Sequence, residues 1–256
     1  MTDATQQGWV RCEINEGVAE ITFYHPSHNS LPGNLLAKLA NTITDAGQND
    51  DVIVIILRSS GERTFCAGAS FDELISIPDF ETGKQFFLGF ANVINACRTC
   101  PKLIIGRVQG KAVGGGVGLA SATDYCFATK YASVKLSELA VGIGPFVVGP
   151  AVERKIGLSA FSQMSINATT WYDAKWAYDK GLFASVSDSA EAMDQQIDQL
   201  VQRLVTSNPE AMTGLKQIFW QGTEHWNDLL DERAAMSGQL VLSTFSKNAI
   251  EKFKKK

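Results

Sequence analysis

Four glycines occupy five consecutive positions in Gly114-Gly115-Gly116-Val117-Gly118, inside the run Val113–Ala120. Glycine weakens a helix relative to alanine, so such a cluster does not serve helix strength. The run follows the apolar stretch Leu103-Ile104-Ile105 and the segment Val108-Gln109-Gly110-Lys111-Ala112, and it opens onto residues able to start a helix. Two readings fit. One is a tight strand-to-helix turn with close backbone packing. The other uses the unpaired N–H groups and positive dipole end of a helix start, which favour negative charge on a nearby oxygen. The run lacks the Gly-Lys-Ser/Thr ending of a P-loop and the Gly-x-Gly-x-x-Gly spacing of a dinucleotide site.

A second segment, Arg63-Thr64-Phe65-Cys66-Ala67-Gly68-Ala69-Ser70-Phe71-Asp72-Glu73-Leu74, follows the apolar run 52–57 and also turns small and glycine-containing before a helical pattern. Two turns of this kind, one parallel-strand unit apart, can each aim one backbone N–H at the same oxygen. Two converging donors make an oxyanion hole, and loss of one donor typically costs about 100- to 1000-fold in rate.

The chain has 256 residues, 45% hydrophobic and 20% charged, with a net charge of −4. That is the range of one ordinary globular domain, with or without a helical appendage, and it offers nothing to nucleic acid or an acidic membrane. No apolar run reaches the roughly 20 residues of a membrane helix. Met1 to Gly8 is polar, without a basic-then-apolar leader, so a cytoplasmic location is expected. The five cysteines form no disulfide framework, and Cys97-Arg98-Thr99-Cys100 lacks the second pair of a zinc site. His25, His28 and His225 have no metal-ligand spacing, so no metal is expected. The tail Lys252-Phe253-Lys254-Lys255-Lys256 reads as frayed and solvated.

Residues 9–14 and 17–23 predict a hairpin across Glu16-Gly17, and 34–47 a helix with Leu35, Leu36, Leu39, Ala40 and Ile43 on one face. Strand 52–57 is apolar on nearly every residue, as in a sheet covered on both faces. A helix at 81–97, strands at 103–107, 124–128 and 133–136, and the rhythm of strand and helix predict an α/β fold with mostly parallel strands. Beyond about residue 145, segments 149–156, 158–166, 172–180, 189–206, 209–219 and 224–245 read as helices. They divide between covering the sheet and contacts between subunits.

Glu138 is an acid in the apolar, glycine-rich stretch Val134–Pro145. An ordinary solvated loop glutamate is one reading. The other is a desolvated carboxyl whose pKa rises toward a useful working value. Asp124, Asp72 and Glu73 are rivals. Asp124 precedes a strand and suits capping or pairing, while Asp72 and Glu73 suit the first turn of a helix. An oxyanion hole with one partly buried carboxylate fits proton transfer at a carbon next to a carbonyl.

Taken together, Phe65–Ala69, Val108–Gly116, Leu136-Ser137-Glu138-Leu139-Ala140-Val141-Gly142-Ile143, and Ala168–Ala174 with Lys180-Gly181-Leu182 resemble the enoyl-CoA hydratase/isomerase (crotonase) family in order and spacing. The resemblance implies an α/β spiral of ββα units, with a core domain over 1–195 and a C-terminal helical trimerisation region over 196–256. It implies trimers or dimers of trimers. The substrate would be an acyl-CoA thioester, the coenzyme A arriving with the substrate and no separate cofactor being needed. The Ala69 and Gly115 N–H groups would hold the thioester oxygen, and Glu138 would carry the proton. Ser27, Ala67, Gly68, Ser70, Gly114, Gly118, Pro145 and Phe146 would contact the substrate. Basic residues around Phe253 and Lys254 would reach a neighbour's CoA phosphates.

The departures from the family pattern bear on the reaction. Hydratases of the family carry a second glutamate three residues after the oxyanion glycine, where this chain has Gly118. The family's Asp after the oxyanion alanine is Ser70, and its small segment after proline is the bulkier Pro145-Phe146-Val147-Val148-Gly149. Space is expected to be gained at Gly118 and lost at Phe146. Isomerisation needs one carboxylate, while hydration uses two. Overall likeness leans toward hydratases, including methylglutaconyl-CoA-like branched enoyl-CoA hydratases. A non-catalytic acyl-CoA-binding protein on the same fold, or a thioester hydrolase or decarboxylase, are the alternatives.

Overall fold

The computed structural model describes residues 8–254, except the side chains of 253 and 254. The hairpin is β1 (Trp9–Asn15) and β2 (Val18–Tyr24), antiparallel, with Glu16 and Gly17 at φ 47° and 82° in the turn. Then come α1 (Gly33–Gln48), β3 (Val54–Ser59), β4 (Thr64–Cys66), α2 (Phe71–Ser76), α3 (Phe80–Thr99), β5 (Leu103–Val108), β6 (Lys111–Val113) and α4 (Gly115–Ala122). They are followed by β7 (Tyr125–Thr129), β8 (Ser133–Lys135), α5 (Gly149–Ile166), β9 (Tyr172–Asp173), α6 (Ala174–Asp179) and β10 (Ser185–Ser187). Helices α7 (Ala190–Val205), α8 (Pro209–Phe219), α9 (Trp226–Val241) and α10 (Thr244–Lys254) complete the chain.

The strands form two sheets, ordered β1-β2-β3-β5-β7-β10 and β4-β6-β8-β9. β3, β5 and β7 lie in the large sheet, and the strand that follows each lies in the small one. The chain therefore steps between two sheets with each turn, a spiral of strand pairs. From β2 to β10 the large sheet is parallel.

Strand alternation sends Ile55, Leu57 and Ile104 into the main core and Val54, Ile56, Leu103, Ile105 and Phe127 to the opposite face. There Met193, Ile197 and Val201 of α7 and Met212 of α8 cover them. Both faces of the central strands are buried, as the unbroken apolar run 52–57 leading through β3 requires. Helix α9 lies along α3, where Gly238 and Gly83 allow the two backbones to approach closely.

Four details differ from the sequence expectation. The strand placed at 52–57 begins two residues later, because Asn49 closes a turn: its carbonyl accepts from Val52 N and its side chain from Asp51 N. Segments 149–156 and 158–166 are one helix bent at Gly157. Segment 172–180 starts as strand β9, and Asp173 then caps α6 through Trp176 N. The helix expected at 224–245 stops at Val241, and α10 runs through most of the tail instead of fraying. Ser243 Oγ accepts from Ser246 N at the break, and the buried Ile250 and Ser246 hold α10 to the body. Strands β4, β6, β9 and β10 are two or three residues long, too short for a periodic signal.

Candidate active site

The site starts in the small sheet. β4 and β6 pair in parallel, Thr64 opposite Lys111 and Cys66 opposite Ala112, so the turns that follow them leave the same sheet edge. Gly68 has φ +84°, and a Cβ there would fall 2.7 Å from Val113 O and 3.3 Å from Gly115 N. The two glycine-bearing turns therefore touch backbone to backbone, and a side chain at 68 would push them apart.

Peptide planarity fixes where the N–H groups point. Gly68 O accepts from Leu31 N at 2.8 Å, so the trans peptide directs the Ala69 N–H away from Leu31. Gly114 O accepts from Val117 N and Gly118 N, so the Gly115 N–H faces out of the start of α4, where no helical acceptor exists. Gly114 itself has φ 51°, held by its N–H on Lys135 O. Ala69 and Gly115 line one cavity of about 60 Å³, with Glu138 in the same wall.

Glu138 leads a 3₁₀ turn, Leu139–Val141. Its carbonyl accepts from Val141 N and Ile143 N, and the Gly142 carbonyl accepts from Ser246 Oγ of α10. The carboxyl lies against Gly114, where a Cβ would come 2.8 Å from Oε1. Oε2 is buried and has no hydrogen-bond partner. Burial pushes the Glu138 pKa up to about 7, outweighing a hydrogen bond from the residue's own backbone N–H that pulls it down. Glu138 is the ionisable residue of the cavity wall; the rest is apolar or glycine apart from Ser137 and Ser237.

Of the residues expected at the substrate, Ala67, Gly68, Gly114, Pro145 and Phe146 line this cavity. Ser70 does not; it is buried and accepts from Glu73 N as the cap of α2. Ser27 is exposed in the neighbouring turn, which docks on the site through Ala67 N to His28 O. Gly118 lies behind the wall. The room expected there is absent, because a Cβ at 118 would meet Val148 Cγ1 at 2.5 Å. An apolar side chain thus fills the place where a second acid would begin. The tail contacts expected around Phe253 and Lys254 involve side chains outside the described residues.

Phe87, Phe90, Ser137 and Ser237 also line the cavity, beyond the residues expected there. Phe90 belongs to a helical stripe that reads as plain core, and Ser237 arrives on α9 from far along the chain. Two of the rival acids, Asp124 and Glu73, are engaged elsewhere. Asp124 Oδ2 accepts from Ile104 N and Lys216 Nζ, and Oδ1 from Trp220 Nε1. Glu73 Oε2 accepts from Gly33 N at 2.7 Å. Cys97 and Cys100 are buried free thiols, and burial pushes the Cys97 pKa up to about 12, far from a metal-binding thiolate. Among the described residues no group of three His, Cys, Asp or Glu is placed to hold a metal, and no helix is long and apolar enough to cross a membrane.

Residues 13–256 match the family model described as enoyl-CoA hydratase/isomerase. The chain belongs to the enoyl-CoA hydratase/isomerase family. The enzyme class expected from the sequence, hydro-lyase or double-bond isomerase, rests on the same finding and on its relatives. The peroxisomal Delta(3,5)-Delta(2,4)-dienoyl-CoA isomerase of Arabidopsis thaliana is 26% identical over 84% of this chain and 81% of its own length. A probable enoyl-CoA hydratase of Bacillus subtilis is 26% identical over 95% and 94%. The carnitinyl-CoA dehydratase of Escherichia coli K12 is 29% identical over 80% and 77%. The crystal structure of an enoyl-CoA hydratase from Bacillus halodurans superposes with a TM-score of 0.87 at 20% identity, covering 95% of this chain and 99% of that one. The crotonase-like α/β spiral is therefore the fold of this chain.

Proposed function

We propose that the protein shifts a double bond in an acyl-CoA thioester, converting a 3-enoyl-CoA to a 2-enoyl-CoA. The thioester oxygen lies between the Ala69 and Gly115 N–H groups, which stabilise the enolate oxygen as charge develops. Glu138 takes a proton from the carbon between the carbonyl and the double bond. It returns that proton to the far end of the resulting dienolate, and the double bond moves into conjugation. The observation that carries this reading is the single acid: Glu138 has an unpartnered buried Oε2, and Val148 fills the space at Gly118. One carboxylate can remove and restore a proton. Hydration must also hold and activate a water, which the family's second glutamate supports.

A 3-enoyl-CoA should gain conjugated-enone absorbance with the purified protein, while a 2-enoyl-CoA should not lose it. Loss with the 2-enoyl-CoA marks hydration, the second reading. The hydratase and dehydratase relatives favour that reading, as does Ser137, the polar neighbour of Glu138 in the wall. Saturable acyl-CoA binding with no turnover of any ester would mark a non-catalytic binder. Release of free CoA or carbon dioxide would mark a hydrolase or decarboxylase. The reading calls for no cofactor beyond the CoA of the substrate, so exhaustive dialysis against a chelator should leave the rate unchanged.

The same reading takes residues 1–195 as the catalytic core and 196–256 as the region of subunit contact, in a trimer or a dimer of trimers. Exposed Leu215, Ile218, Phe219, Leu240 and Phe245 on those helices support it. Sedimentation equilibrium would read the assembly directly.

A further inference from the structure

The cavity that holds Glu138 has a larger neighbour. A second, mainly apolar cavity of about 350 Å³ lies beyond the Gly144–Phe146 turn, bounded by α5 and by Arg233 of α9. Pro145 and Phe146 line both cavities. The partition between them is well braced. Phe146 N donates to Gly144 O at 2.7 Å, and Gly149 N to Pro145 O at 2.8 Å. The half-buried Phe146 ring rests on Gly144, in space that a Cβ at 144 would occupy.

We infer that Phe146 sets the chain length of the substrate: its ring closes the acyl end of the Glu138 cavity and bars the acyl chain from the larger space behind it. The acyl group accepted is therefore short, although apolar room for a long one exists one side chain away. This rests on the acyl-CoA reading above and adds to it the class of acyl chain. Truncating the ring joins the two cavities, and a longer chain then has an apolar path past Pro145 toward Phe161 and Ser165.

The experiment compares wild type, Phe146→Ala and Phe146→Leu. It measures kcat/KM for six-carbon and twelve-carbon 3-enoyl-CoA esters, and binding of the matching saturated acyl-CoA esters by calorimetry, which requires no turnover. A single methylene in an apolar pocket shifts discrimination by about 10- to 200-fold. Wild type should favour the shorter ester. Phe146→Ala should move the ratio toward the longer one by about tenfold or more, with Phe146→Leu between them. Ser165→Phe, which refills the second cavity, should leave wild type unchanged and cancel the gain in the Phe146→Ala background. A wild type that prefers the twelve-carbon ester overturns the inference. So does an unmoved ratio in both Phe146 variants while the short ester still binds. If wild type binds no acyl-CoA ester at all, the acyl-CoA reading itself has failed.

Discussion

Asp124 and Glu138 lie on neighbouring connections of the spiral, before β7 and after β8, and both bury a carboxyl group. Their surroundings differ. Asp124 is ringed by Lys216 Nζ, Trp220 Nε1 and Ile104 N, in an ion pair whose side chains are 3% and 4% exposed. It is committed on both oxygens and fastens α8 to the sheet. Among the described residues Glu138 has no cation beside it and an unpartnered Oε2, and a cavity lies at the carboxyl. Full compensation makes the first acid a structural rivet. The second has only its own backbone N–H to offset burial, and holds a proton near neutral pH, which is the condition for giving and taking one.

The sharpest way to break that contrast is Glu138→Gln, which should lower kcat by about 10²- to 10⁴-fold with the fold intact. An unchanged rate in the enone assay removes Glu138 from the chemistry. Asp124→Asn should do the reverse. It strands the Lys216 charge and should cost about 3–5 kcal/mol of stability. Denaturant unfolding would show the loss, while activity per folded molecule stays near wild type.

The pH dependence sharpens the pair further. The folded Glu138 pKa of about 7 lies above the ordinary value of 4.5, so the folded state holds its proton to higher pH than the unfolded chain does. The stability this lends is complete below about pH 4.5 and is lost as pH rises through about 7, by about 3 kcal/mol in all. Glu138→Gln carries no ionisation there. Its stability relative to wild type should climb between those two pH values and then level off, whereas equal slopes would mean an unburied acid. Under the proposed isomerase reading, the rate should rise through the same upper value, since the carboxylate is the form that accepts a proton.

Two smaller effects test the wall around Glu138. Gly118→Ala places a methyl against Val148 and should cost about 1–3 kcal/mol, relieved by adding Val148→Ala. Gly118→Glu alone should bring no hydratase activity, because Val148 stands in its way. Ser246→Ala removes the hydrogen bond to Gly142 O and the one accepted from Ser243 Oγ, and should cost about 1–2 kcal/mol. An unaltered unfolding midpoint would show that α10 does not brace the Glu138 loop.

Much of this was readable from residues. The two-face burial of β3 follows from the apolar run 52–57, and the hairpin from Glu16-Gly17. Helix α8 begins at Pro209 as the sequence suggests, and Glu138 stands out as an acid in an apolar, glycine-rich stretch. The short strands β4, β6, β9 and β10 were not readable, because two or three residues carry no period. Nor was the tail helix, whose anchoring depends on Ile250 and Ser246 meeting surfaces built by distant segments. Gly118 departs from the sequence expectation: a glycine suggests space, but whether space exists depends on what packs against it, and Val148 comes from another connection.

By itself, the sequence determined an α/β fold with mostly parallel strands, the family through motifs that match it in order and spacing, and Glu138 as an acid in an apolar stretch, since periodicity, motifs and local charge are properties of the chain. Only the tertiary structure decided which backbone amides share a cavity, which of two buried carboxyls is left unpaired, and that Phe146 parts a small cavity from a large one. Those are distances between segments remote in sequence, and burial, which sets both the pKa of Glu138 and the volume open to an acyl chain, exists only once the segments meet.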